Sequence, residues 1–406
     1  MKSNTRPILI PEYMKEFQCI GSACEDTCCA GWNVNIDKET FTSYRKVTNP
    51  VLKDQLKKNV TRNRSNSSSD NYAKIKMDKG GACTFLDEDH LCKIQKELGQ
   101  EFLSNTCAIY PRVLNKVDNT VEKSATLSCP EAARLALLNG KGIHFLEEEE
   151  PRDTPGFIDG KFSTDKDNVL FWDLRIFSIR IMQDRTTSIE NRLIILGLFF
   201  QKISSIATHD LKDRLPIIMD EYFSSISNGA FLASVGNIPS NISFQLSVCK
   251  SLINFRFSSR VTSKRYIECV KEMLEGLKFN ESANLEVVMS SYKDAYENHY
   301  MPFIEQHSYI LENFLVNYIF KNLFPYDQKN FFDSYVMLIV NFALLKLHLI
   351  GIAKYNDKLS TELVIKLIQS FSKTVDHNLQ YLTNVQKLLT DNGYTTMAHM
   401  VVLLKS

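Results

Sequence analysis

Ten cysteines are spread very unevenly along this chain, and that unevenness restricts the fold more than any other feature. Cys19, Cys24, Cys28 and Cys29 fall within eleven residues, Cys83, Cys92, Cys107 and Cys129 follow, and only Cys249 and Cys269 lie beyond. Cysteines that merely fill a core scatter through it, so a crowd of thiols at one end of a chain reads as a supply of metal ligands. Soft thiolates hold Zn(II) or iron–sulfur clusters, and spacing helps to choose between them. Structural zinc sites favour closely spaced pairs, often completed by histidine. Here the spacings are Cys-x4-Cys-x3-Cys-Cys, then Cys-x8-Cys-x14-Cys-x21-Cys, with no Cys-x2-Cys pair. Adjacent Cys28 and Cys29 are awkward as joint ligands of one tetrahedral zinc, whereas iron–sulfur clusters accept irregular spacings. Reduced structural thiols and disulfides are the competing readings. His90 is read as a solvated turn histidine rather than a ligand.

The chain is long enough, at 406 residues, for two or three domains. A hydrophobic content of 44% and a charged content of 23% are those of an ordinary globular protein. The net charge of +1 exerts no global pull on nucleic acid, so no nucleic-acid partner is expected. Met1 to Tyr13 lacks an apolar signal-peptide core. The apolar run from Val336 to Ala353 carries Asn341, Lys346 and His348 and falls short of the about 20 apolar residues of a span, so it reads as a buried helix. A cytoplasmic location is expected, where thiols stay reduced.

The pattern along the chain predicts a mainly α protein: a cysteine-rich metal-cluster domain with short strands over residues 1–146, a linker over 147–168, and a mostly helical domain over 169–406. Residues 1–18 read as an extended lead-in. Val34 and Ile36 alternate with polar residues as a short strand, Asp37 is placed to cap the helix that follows, and Lys74–Met77 and Thr120–Leu127 are strand candidates. Pro130 opens a helix that Asn139-Gly140 ends. The acidic, turn-rich stretch from Glu147 to Asn168 supplies the boundary. Beyond it, Leu170, Leu174, Phe177 and Ile181, and later Leu363, Val364, Leu367, Ile368 and Phe371, recur at helical spacing. Between Arg45 and Arg64 seven bases face one acid, Asp54. This run reads as a solvated helix face, or as a contact for an acidic partner or a peripheral membrane surface.

The stretch from Phe17 to Asp37, with Cys19-Ile20-Gly21-Ser22, Cys24-Glu25-Asp26-Thr27-Cys28-Cys29 and Gly31-Trp32, resembles the N-terminal signature of the flagellin lysine N-methyltransferase family. Cys83-Thr84-Phe85-Leu86, Cys92-Lys93-Ile94, Thr106-Cys107-Ala108-Ile109-Tyr110-Pro111-Arg112 and Leu127-Ser128-Cys129-Pro130 are similar to it in the same order. So are Glu312 to Tyr318 and Asn322-Leu323-Phe324-Pro325. The resemblance implies a bacterial enzyme that moves methyl groups from S-adenosylmethionine to the ε-amines of flagellin lysines. It also implies a [4Fe-4S] cluster held by Cys19, Cys24, Cys28, Cys29, Cys83, Cys92, Cys107 and Cys129. No glycine-rich nucleotide-binding turn follows a strand, and Gly31 stands where the third thiol of a Cys-x3-Cys-x2-Cys signature belongs. The alternative is a non-enzymatic iron–sulfur or zinc protein serving as an interaction or electron-transfer module. Methyl transfer needs an aligned, deprotonated lysine and a proton acceptor. Near the cysteines, Glu25, Asp26 and Tyr110 are the candidates for that role, and Arg112 the candidate for an anionic cofactor group or for a structural salt bridge.

Overall fold

The computed structural model describes residues 4–31, 34–65, 67–151, 154, 160–164, 170–231, 238–280 and 283–406. It is mainly helical, with 59% helix and 11% strand, and the strands concentrate before residue 163. Two hydrophobic cores divide it. The smaller one joins Val34, Ile36, Tyr44, Leu52, Leu56, Val60, Ile75, Phe85 and Ile94. It sits under a three-stranded antiparallel sheet in the order β2 (Asn35–Ile36), β4 (Ala73–Ile75), β3 (Val60–Arg62). Asp37 caps the helix Lys38–Lys46 as expected, its carboxylate accepting from Thr40 N at 2.8 Å.

The larger core fuses a five-stranded sheet with the helices. Strands run in the order β7 (Phe145–Pro151), β1 (Thr5–Pro11), β6 (Thr120–Ala125), β5 (Arg112–Val117), β8 (Gly160–Phe162). The extended lead-in is therefore an inner strand, parallel to β6 and antiparallel to β7. The segment expected as a linker contributes most of β7 and all of β8; its residues 152–153, 155–159 and 165–168 lie outside the described set. Its acidic run forms a strand because cations meet its carboxylates: Glu150 pairs with Arg6 at 2.6 Å and with Lys123, and Glu148 pairs with Lys15. Burial of Ile8, Ile10, Val121 and Ala125 together with Leu174, Phe177 and Phe314 makes the sheet part of the helical core, not of a separate cysteine-rich domain.

The helix Phe331–Tyr355 runs through the centre with every residue from Ser334 to Ala353 buried. It is long and apolar enough to span a membrane by composition, yet its apolar stretch is wholly covered by protein. Its Lys and Asn side chains find partners inside the protein: Lys346 Nζ donates to Leu404 O and reaches Glu190, both at 2.9 Å, and Asn341 Nδ2 donates to Met337 O at 2.9 Å.

The polar residues of the helix Met301–Lys321 explain why an Asn- and Glu-bearing motif sits in a core. Glu312, 2% exposed, takes Arg185 at 2.8 Å and Arg192 at 2.9 Å. Asn313 Nδ2 donates to the carbonyls of Leu137 (3.1 Å) and Asn139 (2.9 Å) at the end of the helix Pro130–Leu137. Asn317 accepts from Tyr13 OH at 2.6 Å and donates to Ala125 O at 3.3 Å, locking the helix onto β6. Glu122 of β6 and Arg175, both nearly fully buried, form a second lock, with one bond at 2.9 Å. These ties fix where the far end of the helix, Lys321, emerges beside β5.

Candidate functional site

The thiols separate into two groups. Cys29 is carried to Cys83 by a short antiparallel pairing: Cys83 N donates to Cys29 O at 2.7 Å, Gly31 N donates to Gly81 O at 3.0 Å, and Ala30 bridges Ala82. A further bridge joins Leu86 to Cys92. As a result Cys28, Cys29, Cys83, Cys92 and Cys107 line one cavity of about 60 Å³, closed by Val34, Tyr44, Phe85 and Tyr110. Burial pushes the Cys83 thiol up to about 11 and the Cys107 thiol up to about 12, and it raises Cys92. Cys28, which keeps an exposed face, is pushed far up, first by its hydrogen bond with Cys29 and then by desolvation. These groups also oppose one another's ionisation, so the set would release protons only to a cation that compensates the charge.

Cys19 and Cys24 belong with Cys129, the N-cap of the helix Pro130–Leu137. Burial, followed by the charges of Cys24 and Cys19 against its backbone N–H bonds, pushes Cys129 up to about 11. Two contacts hold this loop in place: Glu25 pairs with Arg134 at 2.7 Å, and Arg265 donates to Glu25 O at 3.4 Å. None of the ten cysteines is in a disulfide. Cys249 and Cys269 are buried in the helices Ile242–Phe257 and Lys264–Gly276 and do not line the thiol cavity. His90 adopts φ 61° in an exposed turn, as a solvated residue would. Among the described residues no three His, Cys, Asp or Glu side chains already stand as a ready ligand set.

Asp26 is a tether rather than a free proton acceptor. Its Oδ2 accepts from Lys373 Nζ and Gln369 Nε2, each at 2.8 Å, and its Oδ1 accepts from Thr27 N at 2.8 Å. Lys373 also donates to Thr27 O, and Gln369 to Ser128 O, both at 2.8 Å. Both partners lie at the end of the helical half, in the helix Thr361–Phe371 and the π-helical turn Ser372–Asp376. Tyr110 is held by Ser128, their oxygens 3.0 Å apart, and Ser128 Oγ also meets His377 Nε2 at 2.7 Å. Burial, first, and the nearby Cys129 raise the Tyr110 phenol well above its usual range, so it stays protonated and does not serve as a base.

Tyr110 also forms a wall of a second, larger cavity of about 490 Å³. Arg112 and Asn115 of β5, Gly160 of β8, Lys321, Asp327, Asp376 and His377 line it. Arg112 stacks its guanidinium 5.1 Å from the Phe17 ring, and burial lowers its pKa while the Cys19 and Cys129 thiolates oppose that shift. Asn115 Nδ2 donates to Lys321 O at 2.8 Å and so joins the sheet to the helix end. Desolvation pushes Asp327 up to about 6, with Ser334, Lys321 and Tyr318 opposing it, and its Oδ1 is buried without a hydrogen-bond partner among the described residues. Burial likewise raises Asp376, against Lys321 and Ser372. His377 is pushed down to about 4, first by desolvation of the ring where it faces protein and then by Lys321 and Lys373, although the residue keeps an exposed edge.

Of the residues picked from sequence, Tyr110 and Arg112 reach this cavity, while Asp26 and Glu25 serve as struts. Lys321, Asp327, Asp376, His377, Gln369 and Lys373 were not anticipated. The available signal was the polar run Lys373-Thr374-Val375-Asp376-His377 ending an apolar helix, and the charges flanking Asn322-Leu323-Phe324-Pro325.

Residues 175–403 match the model of the FliB lysine N-methylase C-terminal domain. The chain is 25% identical over 395 residues to a lysine-N-methylase of Salmonella choleraesuis (strain SC-B67), covering 93% of this chain and 94% of that protein. It is 24% identical over the same length and shares to the lysine-N-methylase of Salmonella typhimurium (strain LT2). Over 141 residues it is 38% identical to the flagellar biosynthetic protein FliU of Salmonella muenchen, 34% of this chain and 82% of that one. No solved structure matches it. With more than half its length under that domain model, the chain belongs to the FliB lysine N-methylase family of methyltransferases.

Proposed function

We propose that this protein methylates the ε-amines of flagellin lysines with S-adenosylmethionine in the bacterial cytoplasm, and that its N-terminal thiols hold a [4Fe-4S] cluster. The observation that carries the reading is the position of Tyr110, whose side chain walls both the thiol-lined cavity and the 490 Å³ cavity. The FliU relative, named for flagellar biosynthesis, supports flagellin as the substrate.

The donor chemistry fits such a cluster. Five thiols converge on one enclosed space, and their raised pKa values mark a set awaiting a compensating cation. Binding would turn these short side chains inward, since no ready ligand set stands among the described residues. A bound cluster supplies iron for redox or Lewis-acid chemistry beside the larger cavity.

The chain's own residues shape the transfer. In a polar transfer the amine lone pair attacks the sulfonium methyl carbon, the carbon–sulfur bond breaks, S-adenosylhomocysteine leaves, and the amine gives up one proton. Asp376, a cavity carboxyl whose proton affinity burial also raises, is the group placed to accept that proton. His377, at about 4, is too weak a base for it. Tyr110, held by Ser128, is a neutral hydroxyl fixed in the cavity wall.

The test is anaerobic incubation with purified flagellin and methyl-labelled S-adenosylmethionine, followed by peptide mass spectrometry. Label on flagellin lysines is expected. Iron-loaded protein that leaves flagellin unlabelled would instead support the docking or electron-transfer module.

A further inference from the structure

The 490 Å³ cavity carries charge of both signs on a partly buried wall, which is unusual for a site meant only for a lysine side chain. Arg112 and Lys321 supply cations, and Asp327 and Asp376 supply carboxyls. Asp327 Oδ1 is buried and lacks a hydrogen-bond donor among the described residues. A buried acceptor left unpaired is costly, and a ligand ammonium entering the cavity would satisfy it. The volume lies within the range of pockets for drug-sized molecules and well above what one lysine side chain fills.

We propose that this cavity binds the methionyl end of S-adenosylmethionine, with its α-ammonium against Asp327 and its carboxylate against Arg112 and Lys321. The assignment rests on S-adenosylmethionine being the methyl donor. An α-amino acid group presents the two charges that the cavity complements, in the way charge-assisted hydrogen bonds favour. The raised pKa of Asp327 agrees with a carboxyl whose partner arrives with the ligand. The site also borders Tyr110 and hence the thiol-lined cavity, which would place the donor next to the cluster pocket.

Calorimetry tests the assignment on whole, anaerobically prepared protein, using S-adenosylhomocysteine and 5′-methylthioadenosine. The first keeps the amino acid group and the second lacks it. Asp327→Asn and Lys321→Met are expected to weaken S-adenosylhomocysteine at least tenfold while leaving methylthioadenosine unchanged. Asp327→Asn replaces a carboxyl already disfavoured as an anion with an isostere, so the variant should fold; circular dichroism and iron content serve as the check. Unchanged S-adenosylhomocysteine affinity in both variants overturns the placement, and if the KM for flagellin then rises, Asp327 serves the lysine instead. Should wild-type protein bind neither nucleoside yet still label flagellin, the placement fails while the methyltransferase reading stands. Binding that follows the prediction without any labelling of flagellin leaves the placement intact and refutes the activity.

Discussion

Removing the Asp26 carboxylate tests how the cysteine loop is held against the helical half. In the wild type Asp26 takes Lys373 and Gln369 at 2.8 Å each, with the two charged side chains 16% and 7% exposed. An exposed pair contributes about 0–1 kcal/mol, whereas leaving one member of a fully buried pair without its partner costs about 3–5 kcal/mol. This pair lies between those limits, and Lys373 retains its bond to Thr27 O, so Asp26→Ala should cost about 2–3 kcal/mol. Because the other ties on the loop are few, namely the Glu25–Arg134 pair, the Arg265 and Lys373 bonds to the Glu25 and Thr27 carbonyls and the strand-like bridge to residues 81–83, the loss should appear as local opening. Amide hydrogen exchange over residues 24–31 should accelerate roughly 30- to 140-fold, at about 1.4 kcal/mol per decade. Double substitution with Lys373→Met should recover much of this by removing the orphaned charge. Exchange within threefold of wild type, together with a collapse of methyl transfer at unchanged iron content, would refute the tether and make Asp26 a catalytic group.

Three further outcomes follow from the same geometry. Cys83→Ala and Cys107→Ala should each lose most bound iron, while Cys249→Ala, inside a helix far from either thiol group, should keep it; metal analysis of anaerobic protein decides. Gly276→Ala should cost about 3 kcal/mol or more despite about 1 kcal/mol gained in helix propensity, because a Cβ there overlaps the Gly351 carbonyl where two core helices touch; a lower thermal midpoint is the readout. Asp327 should make stability fall as pH rises from about 4 to about 6, since the unfolded chain ionises at about 3.8 while the folded carboxyl holds its proton to about 6. That penalty is up to about 3 kcal/mol, levels off above about pH 7, and should vanish in Asp327→Asn when urea midpoints are compared across pH.

Local signals in the sequence translated well. Asp37 as a cap, Pro130 as a helix start and the Val336–Ala353 run as a core helix each depend on neighbouring residues alone. Longer pairings were not legible. Thr5–Pro11 looks like an irregular lead-in because its partners lie more than a hundred residues away, in β6 and β7. Glu147–Pro151 looks like a charged linker because Arg6, Lys15 and Lys123, the cations that make it a strand, are scattered through the first third of the chain. The site divided in the same way. The thiols announced themselves by crowding, but their split into two groups depends on the Cys29–Cys83 pairing. Asp327, Asp376 and His377 come from turns of the helical half, and tertiary ties, those of Asn313, Asn317 and Asn115 on one side and of Gln369 and His377 to Ser128 on the other, bring them beside Tyr110.

The proposed thiol-held iron centre and the proposed donor cavity share the Tyr110 wall. Iron-edge anomalous diffraction from anaerobically grown crystals containing S-adenosylhomocysteine tests it most directly. An iron peak is expected among Cys28, Cys29, Cys83, Cys92 and Cys107, with ligand density across Tyr110 reaching Asp327. A peak only at a zinc edge, iron away from these thiols, or nucleoside density outside that cavity would contradict it.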